Sequence, residues 1–194
     1  MTTIDPSTIG EMLRESLAKG HNPRLTVTSN SMAPLFWAND QVILTAVQPE
    51  QLNPGDIITI INLDTGVPSL LTHRIWARQE NGFITRGDHA LVFDAPCPPE
   101  AILGRVIGRS HKGNLLVFQD GLGQWLDQHV AALARREQRW LTGSQEAPKG
   151  DEPVITHTKR SGTRFVHRLF FGWAICITFI VNLATRIKSG ETKI

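Results

Sequence analysis

Hydrophobic and polar residues follow two rhythms along this chain. From Arg24 to about Ser110 they alternate in short runs of the kind that form strands. Arg24–Thr28 and Gln41–Ala46 alternate, and Asp56–Ile61 is a β-branched run behind the turn Asn53-Pro54-Gly55. Leu70–Arg78 and Gly82–Arg86 flank an Asn81-Gly82 hairpin signal, and Leu103–Arg109 and Asn114–Gln119 complete the set. Many short strands with few helices predict a mainly β fold with flanking helices, built on a closed or folded-over antiparallel sheet. Helical spacing appears at the two ends. Ile9, Met12, Leu13 and Leu17 alternate with charged residues in a short amphipathic helix that Asp5 or Ser7 caps, with Pro6 in its first turn and Gly20 ending it. Leu122, Trp125, Leu126, His129, Val130 and Leu133 predict a second helix over 121–142.

A polar stretch with Gly, Pro and mixed charges, 143–162, reads as a linker. Beyond it, Leu169 to Thr185 is uninterrupted by charge and flanked by basic residues, and at 1.5 Å per residue it spans roughly 25 Å. The expectation is a membrane-spanning helix over 163–187, with an interfacial or buried amphipathic helix as the alternative. The chain therefore divides into an N-terminal helix (1–20), a β-rich domain (21–120), a helix (121–142), the linker and the apolar tail helix. Lys159, Arg160, Arg164 and Arg168 precede the apolar run; Arg186, Lys188 and Lys193 follow it. This small excess predicts a single-pass protein with the β-rich domain on the cytoplasmic side.

Composition narrows the function. The 194 residues are 41% hydrophobic and 20% charged, as in a folded protein of one ordinary domain with appendages. A net charge of +2 without a basic patch in the core argues against nucleic acid as a partner. The two cysteines, Cys97 and Cys176, supply neither a disulfide framework nor metal-ligand spacing, and no cofactor is implied.

Candidate chemistry begins at Thr28-Ser29-Asn30-Ser31-Met32-Ala33-Pro34. Ser31 sits between a strand and a proline-broken turn, where its hydroxyl is either a nucleophile or a turn hydrogen-bonder. No lysine occurs between Lys19 and Lys112, so a nucleophilic Ser31 needs another base. His73 lies two strand-like segments later, and Asp88 and Asp94 can both be offered to its imidazole. Taken in order, Ser29–Pro34, Pro54-Gly55-Asp56-Ile57-Ile58, Thr72-His73-Arg74-Ile75, Arg86-Gly87-Asp88, Asp94 and Gly104–Gly108 resemble the signal peptidase I/LexA superfamily. They are most similar to its serine/histidine branch, the archaeal and endoplasmic-reticulum signal peptidases.

The resemblance covers residues 24–110 and implies a signal peptidase/LexA-like β-rich catalytic domain. It implies Ser31 as nucleophile and His73 as general base, with Asp88 and Asp94 at positions that support the dyad. For the oxyanion it implies the backbone N–H of Ser31 and the hydroxyl of Ser29. The implied activity is a serine endopeptidase that binds an extended peptide or preprotein along a strand edge and cleaves after small residues. Phe36 and Trp37 wall a substrate pocket, meet a bilayer or pack in the core. The chain departs from the family in lacking an N-terminal anchor, in His89-Ala90 where asparagines are usual, and in Ala38-Asn39-Asp40 where glycine-aspartate is usual. A cytoplasmic peptidase would not process ordinary signal peptides; the leader of a modified ribosomal peptide is then one possible substrate. Two other readings compete: a LexA-like self-cleaving regulator, and a non-catalytic peptide-binding relative with Ser31 and His73 out of hydrogen-bond reach.

Overall fold

The computed structural model describes residues 5–62, 68–142 and 163–190. The linker expected at 143–162 lies outside the described residues. The expected strands form, in chain order, β1 (Arg24–Thr26), β2 (Gln41–Thr45), β3 (Ile57–Asn62), β4 (Ser69–Gln79), β5 (Gly82–Arg86), β6 (Ile102–His111) and β7 (Asn114–Val117). They join in one antiparallel sheet of order β1-β2-β6-β3-β4-β5, with β3 and β7 following one another along the same edge of β6. Among the described residues three α-helices accompany it: α1 (Pro6–Ala18), α2 (Gly121–Thr142) and α3 (Thr163–Gly190). The fold is mainly β with flanking helices, as the alternation predicts.

Register slips at Ile43/Leu44, Thr59/Ile60 and Ile75/Ala77 bend the sheet. The bend gives it two buried faces. Ile57 packs with Leu13 and Leu17 of α1, Phe36, Val42, Leu44 and Val106 in the larger core, whereas its neighbour Ile58 packs with Leu52, Ile75 and Phe83 on the other side. β3 is thus buried on both faces, which is why it reads as a continuous β-branched run. Each fully buried Ile or Leu contributes about 1.5–3 kcal/mol by leaving water. The Asn81-Gly82 turn needs its glycine. Gly82 has φ 147°, and a Cβ there would lie 2.2 Å from the Cys97 carbonyl oxygen, with which the hairpin pairs.

At the N-terminus of α1, Asp5 is the cap residue and Ser7 donates to its carboxylate rather than to the helix backbone. α2 and α3 pack against each other, and Leu126, Val130 and Val181 join the larger core. The apolar run expected as a membrane span forms a helix in which His167–Thr185 is long and apolar enough to cross a membrane by length and composition.

Candidate active site

The chain leaves β1 at Thr26 and turns through Ser29–Trp37 before entering β2. Met32, Leu35 and Phe36 are essentially inaccessible and anchor this turn in the core. Asn30 Oδ1 accepts from the Ala38 N–H at 2.9 Å, Phe36 N–H donates to the Met32 carbonyl at 3.0 Å, and the Ala33–Pro34 peptide is cis. Ser31, at the head of the anchored turn, remains partly accessible. Phe36 is therefore a core residue, while Trp37 packs 6.4 Å (centroid to centroid) from Phe171 of α3.

His73 lies in the middle of the sheet on β4, opposite Ile58 of β3, and is only 5% exposed. Its two ring nitrogens face two of the residues singled out from sequence. Nε2 is 2.9 Å from Ser31 Oγ, and Nδ1 is 2.6 Å from Asp94 Oδ2. An ionised carboxylate only accepts, so Nδ1 carries the proton and Nε2 is the acceptor for the Ser31 hydroxyl. Asp94 is itself fixed to β5: its backbone N–H donates to the Thr85 carbonyl at 2.9 Å, and Thr85 Oγ1 donates to Asp94 Oδ2 at 2.7 Å. Thr85 had no signal in the sequence beyond its place on a strand.

Asp88 takes a different position from the one offered in the sequence reading. Both of its oxygens are engaged by Arg74, Nε to Oδ1 at 2.8 Å and Nη2 to Oδ2 at 2.7 Å, a two-pronged pair with both side chains out of water. Arg74 Nη1 also donates to Asp127 of α2 at 2.7 Å and to the Gly55 carbonyl at 2.9 Å. Burial works against the Arg74 charge, but Asp88 and Asp127 outweigh it and hold its pKa above the ordinary arginine value. Asp127 is shifted upward, chiefly by burial, against the opposing pull of Arg74. Asp94, not Asp88, is the carboxylate against His73; Asp88 fastens the segment that follows β5.

That segment closes over the serine. Gly87 runs so near that a Cβ on it would lie 2.5 Å from the Ser31 carbonyl oxygen and 2.9 Å from His73 Nε2. The His89 N–H donates to the Ser31 carbonyl at 2.9 Å. We expect Gly87→Ala to push Ser31 and His73 apart, since the nearest obstacle is backbone. If the pair acts in catalysis, a displacement of this kind costs on the order of 100-fold in turnover. Comparing kcat at unchanged Tm checks it, and an unaltered kcat would show that the close approach is idle.

Ser29 Oγ lies 3.2 Å from Ser31 Oγ, within reach of charge that would develop at a carbonyl attacked there. Replacing one such donor costs about 10- to 1000-fold in turnover. If Ser31 acts as a nucleophile, Ser29→Ala should fall in that range, with Ser31 still reactive toward a serine-directed probe. Unchanged kinetics would remove Ser29 from the site. The lysines nearest in sequence stand elsewhere: Lys19 pairs with Glu15 on α1, and Lys112 occupies the β6–β7 turn. Among the described residues, no group of three or more His, Cys, Asp or Glu is arranged to hold a metal ion.

A hydroxyl held on a neutral imidazole whose far nitrogen is fixed by a carboxylate can be deprotonated as it attacks. The chain matches no family model, and no curated protein is significantly similar to it. The geometry therefore carries the functional reading.

Proposed function

We propose that this protein is a serine endopeptidase of signal-peptidase type, with a signal peptidase/LexA-like catalytic domain. The observation that carries the proposal is the continuous chain Ser31 Oγ–His73 Nε2, His73 Nδ1–Asp94 at 2.9 and 2.6 Å. Ser31 is the nucleophile, His73 the general base and then acid, Asp94 the group that holds the tautomer and balances the imidazolium. Ser29 and the Ser31 backbone N–H serve the oxyanion. A non-catalytic relative would have no need of this alignment, and a separation within hydrogen-bond reach supports an enzyme.

The substrate is an extended peptide. Ser69–His73 of β4 pairs with β3 on one edge, while the ladder with β5 begins only at Arg74. Among the described residues no strand pairs with the other edge of that stretch, and we assign strand addition to it, leading directly to His73. Beside it lies a cleft of about 230 Å³ lined by Ile61, Leu71, Asp94, Ala95 and Pro96, among others. We assign it to a side chain of the peptide; cleavage after small residues is what the resemblance to signal peptidases implies. We further propose that the apolar α3 attaches the enzyme to a membrane.

A fluorophosphonate probe tests the chemistry. It should label the wild-type protein and leave Ser31→Ala unlabelled, and a library of peptides with small residues should yield a cleaved substrate for the wild type alone. Equal labelling of both proteins, or cleavage by Ser31→Ala, would rule the proposal out.

A further inference from the structure

α3 sorts its side chains in an unusual way. Ala174, Thr178 and Val181 are buried against the rest of the protein, and Asn182 accepts from Arg109 Nη2 at 2.5 Å. At the start of the helix, His167 binds Glu137 of α2 and the Phe171 ring lies tilted against His89 with centroids 4.0 Å apart. The polar side chains His167, Thr178 and Asn182 are thus all turned inward. Between 169 and 184, every exposed position is apolar. Trp173 is 63% exposed, Phe179 67% and Ile180 64%, with Leu169, Cys176 and Leu183 on the same outer side of the helix. A helix of a water-soluble domain ordinarily shows its polar side to solvent. Here, among the described residues, nothing covers the apolar side.

Charge identifies what covers that side. From 159 to the C-terminus the sequence has seven basic residues and one acidic residue, Glu191. In the sequence the basic residues flank the apolar run on both sides, four before it and three after it, a charge that anionic headgroups complement. A helix crossing the bilayer would have to give up the Arg109–Asn182 bond and the Val181 packing, and would carry Asn182 and Thr178 into hydrocarbon. Lying flat keeps every one of these contacts.

We propose that α3 is an in-plane membrane helix: its inner face stays docked on the catalytic domain while its outer face sinks into the headgroup–acyl boundary of an anionic bilayer. This rests on the membrane attachment proposed above and specifies its geometry. It has a consequence for the site. His89 touches α3 through Phe171 and holds the Ser31 carbonyl through its own N–H. The nucleophile is therefore two contacts away from the lipid-facing helix, and the enzyme meets peptides at the membrane surface.

Cys176 is the native reporter, because it is exposed and sits at the midpoint of His167–Thr185, whereas Cys97 is buried. Full-length Cys97→Ala protein, labelled at Cys176 with an environment-sensitive fluorophore, is mixed with vesicles of phosphatidylcholine alone or with 30% phosphatidylglycerol, where 30% is a chosen, approximate fraction. We expect roughly tenfold tighter binding to the anionic vesicles and strongest quenching by lipids brominated near the headgroup. Trp173→Glu/Phe179→Glu should lose at least about tenfold in vesicle affinity while fluorophosphonate labelling of Ser31 stays unchanged. Strongest quenching at the bilayer centre would show a spanning helix and overturn the in-plane geometry while leaving membrane attachment standing. A folded, probe-reactive protein that binds neither vesicle, or one that covers the label by dimerising, would overturn the membrane as the occupant. Loss of probe labelling in wild type would instead count against the peptidase reading.

Discussion

Ser31→Ala and His73→Ala should each lower peptide hydrolysis by at least about 10⁴-fold, and the double variant should be no worse than either single one. In the proposed mechanism both side chains serve one step. Without the hydroxyl there is no nucleophile, and without Nε2, 2.9 Å away, nothing takes its proton. Ser31 is partly accessible and its turn is anchored by neighbouring core residues, so Ser31→Ala should leave Tm within about a degree or two, as for a surface change. Asp94→Asn is the informative companion. An asparagine can donate to Nδ1 and so select the wrong tautomer, which costs orders of magnitude in rate with little change in structure. Asp88→Asn should act the other way, lowering stability through Arg74 more than it lowers the intrinsic rate. Wild-type turnover by His73→Ala on a cleaved substrate would sink the dyad. Equal losses of rate and stability in Asp94→Asn and Asp88→Asn would sink the division of labour between the two aspartates.

That division shows where sequence reasoning reached its limit. Alternation and turn residues located all seven strands, because each is a local pattern read against a two-residue period. β1 and β7 came out shorter, ending at Thr26 and Val117, since their last residues leave the ladder for the turn holding Ser31 and the approach to α2. Ser31 and His73 were legible through the order of motifs. Which aspartate meets His73 was not, because Asp88 and Asp94 lie on one loop and both are near in sequence. The sheet decides it. Neighbouring residues of a strand face opposite sides, so His73 and Arg74 diverge and each takes its own carboxylate. Thr85 and Asp127 were invisible for a related reason: each is a partner made only by tertiary contact, Asp127 across 53 positions of chain. For the tail, hydropathy located the helix, but the side that docks was set by partners such as Arg109 and His89 that no local window contains.

Arg74→Met should be the most destabilising single change in the protein outside the apolar core. It leaves Asp88, with 1% of its side chain exposed, and Asp127, with 22%, without their shared cation. Breaking a buried pair from one side costs about 3–5 kcal/mol, because the remaining charge is stranded away from water. For a domain of this size that corresponds to a fall in Tm on the order of 6–20 °C. The deficit should depend on pH in a definite direction. Stranded carboxylates have folded-state pKa values raised by burial, a tendency Asp127 already shows with Arg74 in place. The folded variant then binds more protons than the unfolded chain in the window above the ordinary carboxylate pKa, so its stability falls as pH rises and recovers as pH is lowered toward that value. Urea unfolding of wild type and Arg74→Met at pH 7 and at about pH 5 measures both effects: a large gap at the first and a smaller one at the second. Arg74→Met/Asp88→Leu should regain part of the loss, since removing both charges costs less than removing one. A Tm within about a degree of wild type, or a gap that widens on acidification, would show that Arg74 does not hold the Gly87–His89 segment against Ser31 in the way its bonds imply.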